Sequence, residues 1–163
     1  MIDALIQGVL LGGHYAILAA GLSLMFGVMR IINLAHGDLA VLGAYGVLML
    51  TPHVGGSPWL ALVVVLPAMG LLGVLLQRAL FARTLRAGIL LPLLVSFGLG
   101  ALIQNALFGG VGSEARSLAN DIGELAWAAW SLPGELLPDL MLGQLPVLTL
   151  VLAVGVLAAL QAL

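Results

Sequence analysis

The sequence predicts an all-α integral membrane protein, a polytopic transmembrane helix bundle of about five spans with a broken or polar-headed second helix. Of its 163 residues, 63% are hydrophobic and 7% are charged, and the mean hydropathy is +1.24. Soluble domains are about 45–50% apolar and about 25% charged, so the bilayer is the expected solvent. The few charges also divide the chain into long uncharged runs, one of which begins with a polar cluster.

The spans follow from the positions of charges and loop-forming residues. A helix needs about 20 apolar residues to cross about 30 Å of hydrocarbon. Residues 51–58 hold two prolines with two glycines between them, which predicts a loop before the third span. We predict a single transmembrane domain over residues 1–163, truncated at its C-terminus, with spans near 4–29, 31–51, 59–80, 88–110 and 143–163 and an outer polar loop at 111–142.

Arginine predicts the orientation of the chain. Arg78, Arg83 and Arg86 share a short segment without acidic residues, which the positive-inside rule places in the cytoplasm. The polar loop at 111–142 has more acidic than basic residues and is expected outside. Counting spans back from these loops places the N-terminus outside as well.

The second span is too short if it consists only of apolar residues. Its uncharged part, 39–51, covers about 20 Å as a helix, well short of the hydrocarbon core. Either the helix starts near Ile31 and takes Asn33, His36 and Asp38 into the membrane, or the chain breaks near 33–37 and re-enters as a half-helix. Both solutions place these polar side chains at or below the headgroups.

Two interpretations of Asn33, His36, Gly37 and Asp38 stay open. An ionisable group at membrane depth costs about 2.5–3.5 kcal/mol even on the mild insertion scale, and it indicates a functional site by default. Broken helices also line the solute paths of transporters. Alternatively, Asn33 and Asp38 cap helix ends and His36 is a packing residue.

Other polar positions within the spans are weaker path candidates. Gln104 and Asn105 in the fourth span are expected to form interhelical hydrogen bonds, with a role in the solute path as the less favoured interpretation. His14 in the first span could line a path or bind a metal, but a hydrogen bond to a neighbouring helix is favoured. No metal site is therefore predicted.

Composition and motifs exclude several functions. The net charge of −2 argues against nucleic-acid binding, which needs a basic face. The sequence has no nucleophile elbow, no metal-binding His-Glu-x-x-His and no phosphate-binding loop. We therefore predict a non-enzymatic subunit, and any ATP site is expected on another chain.

The segment Asn33-Leu34-Ala35-His36-Gly37-Asp38 resembles the Asn-x-Ala-His-Gly-Asp/Glu signature of bacterial branched-chain amino-acid ABC transporter permeases. In that family the signature begins the second span. The arginine loop is also similar. Further similar segments are 12–16, 21–27, 43–45, 96–98, 104–105 and 108–109.

The resemblance implies a multi-pass subunit of the bacterial inner membrane that imports branched-chain amino acids. Its implied partners are a second homologous permease, two cytoplasmic ATPase subunits and a periplasmic solute-binding protein. ATP would bind those ATPases, and this chain would hold no cofactor. Related permeases move urea or short amides, so such a solute is the alternative substrate.

Departures from the family leave other functions open. His14 stands where an aliphatic or small residue is usual, and 112–143 is only loosely similar. Family members are much longer, which suggests that this chain is a fragment or is completed by a second chain. The alternatives from other classes are a non-transporting membrane assembly subunit and a redox or enzyme subunit ligated by His14, His36 and His53.

Overall fold

The computed structural model describes residues 2–30, 32–84, 88, 90–112, 128–131 and 141–162. They contain five helical segments that are long and apolar enough to cross a membrane, which confirms the all-α fold class. The elements are α1 (Ile2–Met29), α2 (His36–Leu50), a 3-10 turn (Thr51–Val54), α3 (Pro58–Leu76), a π-helical segment (Gln77–Phe81), α4 (Ala82–Thr84), α5 (Leu90–Val111), β1 (Ala129–Ser131), β2 (Met141–Gly143) and α6 (Gln144–Ala162).

A short antiparallel pair of strands lies within and just beyond the predicted polar loop at 111–142. Ala129 of β1 pairs with Gly143 of β2, and Ser131 pairs with Met141. The rest of that loop, 113–127 and 132–140, lies outside the described residues.

The second span reaches membrane length because it extends beyond both ends of the uncharged run 39–51. Helix α2 starts at His36, five residues after the predicted start near 31, because 32–35 form a non-helical break. Beyond Leu50 the chain continues as the 3-10 turn instead of a loop. The Thr51 hydroxyl donates to the Val47 carbonyl at 2.8 Å, and Pro52 fits the start of this turn, where its missing N–H is not needed. The combined segment, His36–Val54, has 19 residues.

Glycines end this segment before the third span begins. Gly55 and Gly56 both have positive φ, 77° and 73°, a conformation that L side chains rarely adopt. Pro58 then begins α3 in the first helical turn. Helix α3, the π-helical segment and α4 run on as one membrane-length helix, Pro58–Thr84, which extends four residues past the predicted end of that span.

The chain forms two compact units, each described by itself. One comprises Met1–Leu24 with Ile122–Leu163, and the other Met25–Asp121. In the first unit, α1 and α6 touch at Gly13, where an added Cβ would lie 2.9 Å from the Leu150 Cα. Such close backbone approach through small residues is typical of membrane helices.

In the second unit, α2 packs against both α3 and α5. Gly46 faces Val65 of α3, and Gly43 faces Met69, each at van der Waals distance for an added Cβ. At most 22% of any membrane-length segment is buried, so large apolar side chains cover the outer faces. Such faces are stable only in a lipid environment or against other apolar helices.

The contact at Gly13 leads to a test of the packing of α1 on α6. We expect Gly13→Ala to lower the free energy of unfolding by about 1–3 kcal/mol, because the added methyl would collide with the Leu150 backbone. Gly12→Ala is the matched control: an added Cβ there meets nothing within 4 Å, so the change is neutral or stabilising by up to about 1 kcal/mol. Unfolding of the purified variants in detergent measures both, and equal stabilities would contradict the packing.

Candidate functional site

The candidate site lies at the break between α1 and α2. Helix α1 ends at Met29, and Arg30 turns the chain with a left-handed φ of 53° while its N–H donates to the Phe26 carbonyl at 2.8 Å. A residue in this conformation after a helix satisfies one of the free carbonyls of the last turn. The break therefore starts as a regular helix end, although a side chain other than glycine carries the strain.

Asn33 shapes the next part of the break. Its side chain is 4% exposed, and its Oδ1 accepts a hydrogen bond from the Ala35 N–H at 3.0 Å. Its carbonyl accepts from the His36 N–H at 3.3 Å. Asparagine side chains often close such local turns by accepting a backbone N–H two residues ahead. Asn33 thereby directs the chain into α2, whose flanking residue Ala35 has no capping side chain.

Ser96 attaches the break to α5. Its hydroxyl accepts from the Leu34 N–H at 3.1 Å and donates to the Leu93 carbonyl at 2.8 Å. Ser96 is completely buried. A backbone N–H that is buried away from water without an acceptor costs several kcal/mol, so this hydroxyl stabilises the non-helical backbone at Leu34.

Asp38 lies in the first turn of α2, where the helix dipole favours a negative charge. Its Oδ1 accepts from the Gln104 Nε2 of α5 at 2.8 Å. The other carboxylate oxygen, Oδ2, lies over Gly100, where an added Cβ would be only 2.5 Å away. Helix α5 therefore receives the Asp38 carboxylate in a notch that only glycine leaves open.

The other signature residues lie at the start of α2. His36 is its first residue and is half-buried, and Gly37 is exposed with open space around the position of a Cβ. Asn105 lies next to Gln104 but donates to the Ala101 carbonyl of its own helix at 2.7 Å. The structure thus brings Gln104 to Asp38 and does not bring Asn105 there.

His14 belongs to the other compact unit. Its Nδ1 lies 3.4 Å from the Thr149 hydroxyl of α6, and that hydroxyl donates to the Leu145 carbonyl at 2.8 Å. The tautomer of His14 decides which of the two atoms donates in this contact. Within the part of the chain that the structure describes, no three metal-ligating side chains lie together.

The arginines of the predicted cytoplasmic loop lie near the end of the third span. Arg78 belongs to the π-helical segment and Arg83 to α4, and both are exposed. Arg86 lies outside the described residues.

Sequence reasoning did not select Ser96 or Gly100 as site residues. A serine in an apolar span most often bonds its own helix, and a glycine is most often a packing residue, so neither type is distinctive alone. The available signal was their spacing: Ser96, Gly100 and Gln104 recur at intervals of four, which places them on one face of α5.

Comparison with known proteins identifies relatives. A family model for the permease component of branched-chain amino acid transport systems matches residues 4–162. The high-affinity branched-chain amino acid transport system permease protein BraD of Pseudomonas aeruginosa is 26% identical over 129 residues, covering 72% of this chain and 41% of BraD. LivH, the corresponding permease protein of Escherichia coli K12 and Salmonella typhimurium, is 36% identical over 44 residues, covering 27% of this chain and 14% of LivH. The chain thus spans about two fifths of the length of BraD, and no solved structure matches it.

The Ser96 bridge can be tested by its removal. Ser96→Ala leaves the Leu34 N–H without its acceptor, and we expect the free energy of unfolding to fall by about 1–3 kcal/mol. Asn105→Ala serves as the control on the same helix, since that side chain is exposed and bonds only its own helix among the described residues; its effect should stay within about 0.5 kcal/mol. Unfolding in detergent is the measurement, and a Ser96 variant as stable as the control would contradict the role of the bridge.

The notch at Gly100 gives a second test. Gly100→Ala should displace the Asp38 carboxylate and should therefore be less stable than Gly98→Ala, which has open space at its Cβ. Combining Gly100→Ala with Asp38→Ala removes the colliding oxygen. A double-mutant cycle on unfolding should therefore give a coupling energy of at least about 1 kcal/mol, and additive effects would refute the contact.

Proposed function

We propose that this chain, which belongs to the permease-component family of branched-chain amino acid transport systems, forms part of the solute path of an ATP-binding-cassette importer. The single observation that supports this most is the non-helical break at 30 and 32–35, between two membrane-length helices, which leads directly to the Asp38–Gln104 pair. Irregular backbone in a membrane is tolerated where it is buried in protein or lines a cavity, and transporters bind solutes at such breaks.

The proposed path suits an amino-acid zwitterion. The first N–H groups of α2 have no acceptor within the helix, and the helix dipole makes this end positive. Gly37 in the first turn is exposed, and a Cβ added there would extend into open space. The α2 terminus is therefore proposed to meet the substrate carboxylate, while the Asp38 carboxylate meets the ammonium group.

Gln104 and Asn33 act as positioning residues in this proposal. Gln104 fixes the orientation of the Asp38 carboxylate, and Asn33 fixes the direction in which α2 begins. His36 adds a polar ring at the same end of the helix. These residues hold the polar groups at fixed positions, so little conformational entropy is lost when solute arrives.

The importer would be completed by other subunits. We propose a second homologous permease beside this chain, two cytoplasmic ATPases and a periplasmic solute-binding protein, with ATP bound by the ATPases and no cofactor in this chain. The exposed apolar faces of its helices support burial against lipid and a second membrane subunit. The proposed location is the bacterial inner membrane, with the N-terminus outside and Arg78 and Arg83 on the cytoplasmic side.

Uptake of radiolabelled leucine tests the proposal in cells that lack their own branched-chain systems and express this chain with its cognate subunits. We expect Asp38→Asn to lower uptake at least about tenfold, because it keeps the side-chain shape and removes the charge that meets the ammonium group. Asn105→Ala should leave uptake unchanged. Uptake of urea or acetamide in place of leucine would contradict a branched-chain amino acid as the substrate, but it would agree with the proposed solute path.

Isolation of the tagged chain from those membranes gives a separate test of the partners. Recovery together with an ATPase and a second permease is expected. If Asp38→Asn assembled normally and transported leucine at the full rate, the proposed role of the carboxylate would be wrong.

A further inference from the structure

A cavity of about 500 Å³ opens at the C-terminal end of α1. Its lining comes from the last turn of α1, the break and the start of α5, with Phe26, Gly27, Arg30, Ile32 and Leu93. The described side chains of this lining are thus apolar apart from the Arg30 guanidinium. This volume lies in the range of small-molecule sites, yet none of its lining residues belongs to the Asp38–Gln104 pair.

The position of Arg30 in this cavity is costly for the protein. Its φ of 53° lies in the left-handed region, which costs a non-glycine residue about 1–2 kcal/mol. Its side chain is exposed, and among the described residues no partner of its guanidinium is recorded. A strained residue whose guanidinium has no ionic partner among the described residues suggests a ligand that supplies the opposite charge.

The length of α1 sets the depth of this charge. Its 28 residues span about 42 Å, close to the thickness of a bilayer that includes both headgroup layers. Arg30, immediately after the helix, therefore lies at headgroup level, where lipid phosphates are. Phe26 and Gly27 lie one turn back toward the hydrocarbon, at the depth of the acyl chains.

We propose that this cavity binds an anionic phospholipid, with the phosphate on the Arg30 guanidinium and an acyl chain between Phe26, Ile32 and Leu93. An acyl chain is as apolar as the Phe26, Ile32 and Leu93 side chains that it would contact. The guanidinium then selects among lipids by charge, because basic pockets between membrane helices favour anionic headgroups.

Charge and lining together favour a lipid over a small soluble anion. Free phosphate would pair with the Arg30 guanidinium but would make no contact with the apolar side chains of the cavity. Loss of its hydration next to those side chains would also cost free energy. Free leucine has a carboxylate and an apolar side chain, but its ammonium group finds no recorded acceptor among the cavity-lining side chains. A phospholipid supplies both a phosphate for the Arg30 guanidinium and an acyl chain for the apolar side chains. This inference does not depend on the proposed transport function.

Native mass spectrometry of the purified chain, supplied with equal amounts of phosphatidylglycerol and phosphatidylethanolamine, tests the proposal. We expect the unaltered chain to retain phosphatidylglycerol preferentially. Arg30→Gln should reduce that preference about fivefold, and Arg30→Lys should preserve most of it. Arg78→Gln removes an exposed arginine outside the cavity and should have no effect.

A second pair of variants tests the cavity itself without touching the charge. Gly27→Leu should fill it, and because an added Cβ at Gly27 meets nothing within 4 Å, the fold should tolerate the change. Gly70→Leu adds the same volume at an equally open position of α3, outside the cavity, and should leave lipid retention unchanged.

Three results would overturn the proposal. One is equal retention of the two lipids by the unaltered chain. Another is unchanged phosphatidylglycerol binding in both Arg30→Gln and Gly27→Leu. The third is displacement of the lipid by free leucine or inorganic phosphate, which would identify a soluble-anion site instead.

Discussion

The hydrogen bond from the Leu34 N–H to the Ser96 hydroxyl is the interaction on which the second compact unit depends. Water is absent from the hydrocarbon region, so each backbone polar group that leaves a helix there must find a partner in the protein. Ser96 supplies that partner and also donates to the Leu93 carbonyl. With this bridge in place, the chain can stop being helical after Met29 and start again at His36.

The position of the break determines where the Asp38 carboxylate lies in α2. Because α2 starts at His36, Asp38 falls in its first turn, near the positive end of the helix dipole. Gln104 and Gly100 lie one turn apart on α5, and together they give the carboxylate a donor and the space it needs. The Asp38 carboxylate is thereby stabilised by a hydrogen bond and by the helix terminus, and both interactions are stronger in a low dielectric than in water. This arrangement suits a site that must meet a polar solute.

Small residues give the helices their contacts, and large residues face outward. Gly13 in the first unit and Gly43 and Gly46 in the second lie at helix–helix contacts, while many of the described leucines, valines and phenylalanines are exposed. Since lipid tails are as apolar as these side chains, association of membrane helices relies on close packing more than on the hydrophobic effect. The exposed faces remain available to lipid and to further membrane subunits, as the proposed importer requires.

The sequence alone determined the fold class with its five membrane-length helices, because this follows from composition and the distribution of charge. It also indicated the family, through the resemblance of one polar signature. It also indicated that 39–51 is too short to cross, which required a break or a polar helix start. It did not determine that the second span continues past Leu50 as a 3-10 turn, since proline occurs both in loops and in the first turn of a helix. The sequence also did not assign side-chain hydrogen bonds between helices. Only the packing of α5 on α2 decided that Gln104, and not its neighbour Asn105, donates to Asp38. The physical reason is that residue spacing fixes the face of one helix, whereas the depth and rotation of two helices against each other depend on contacts between residues far apart in the chain.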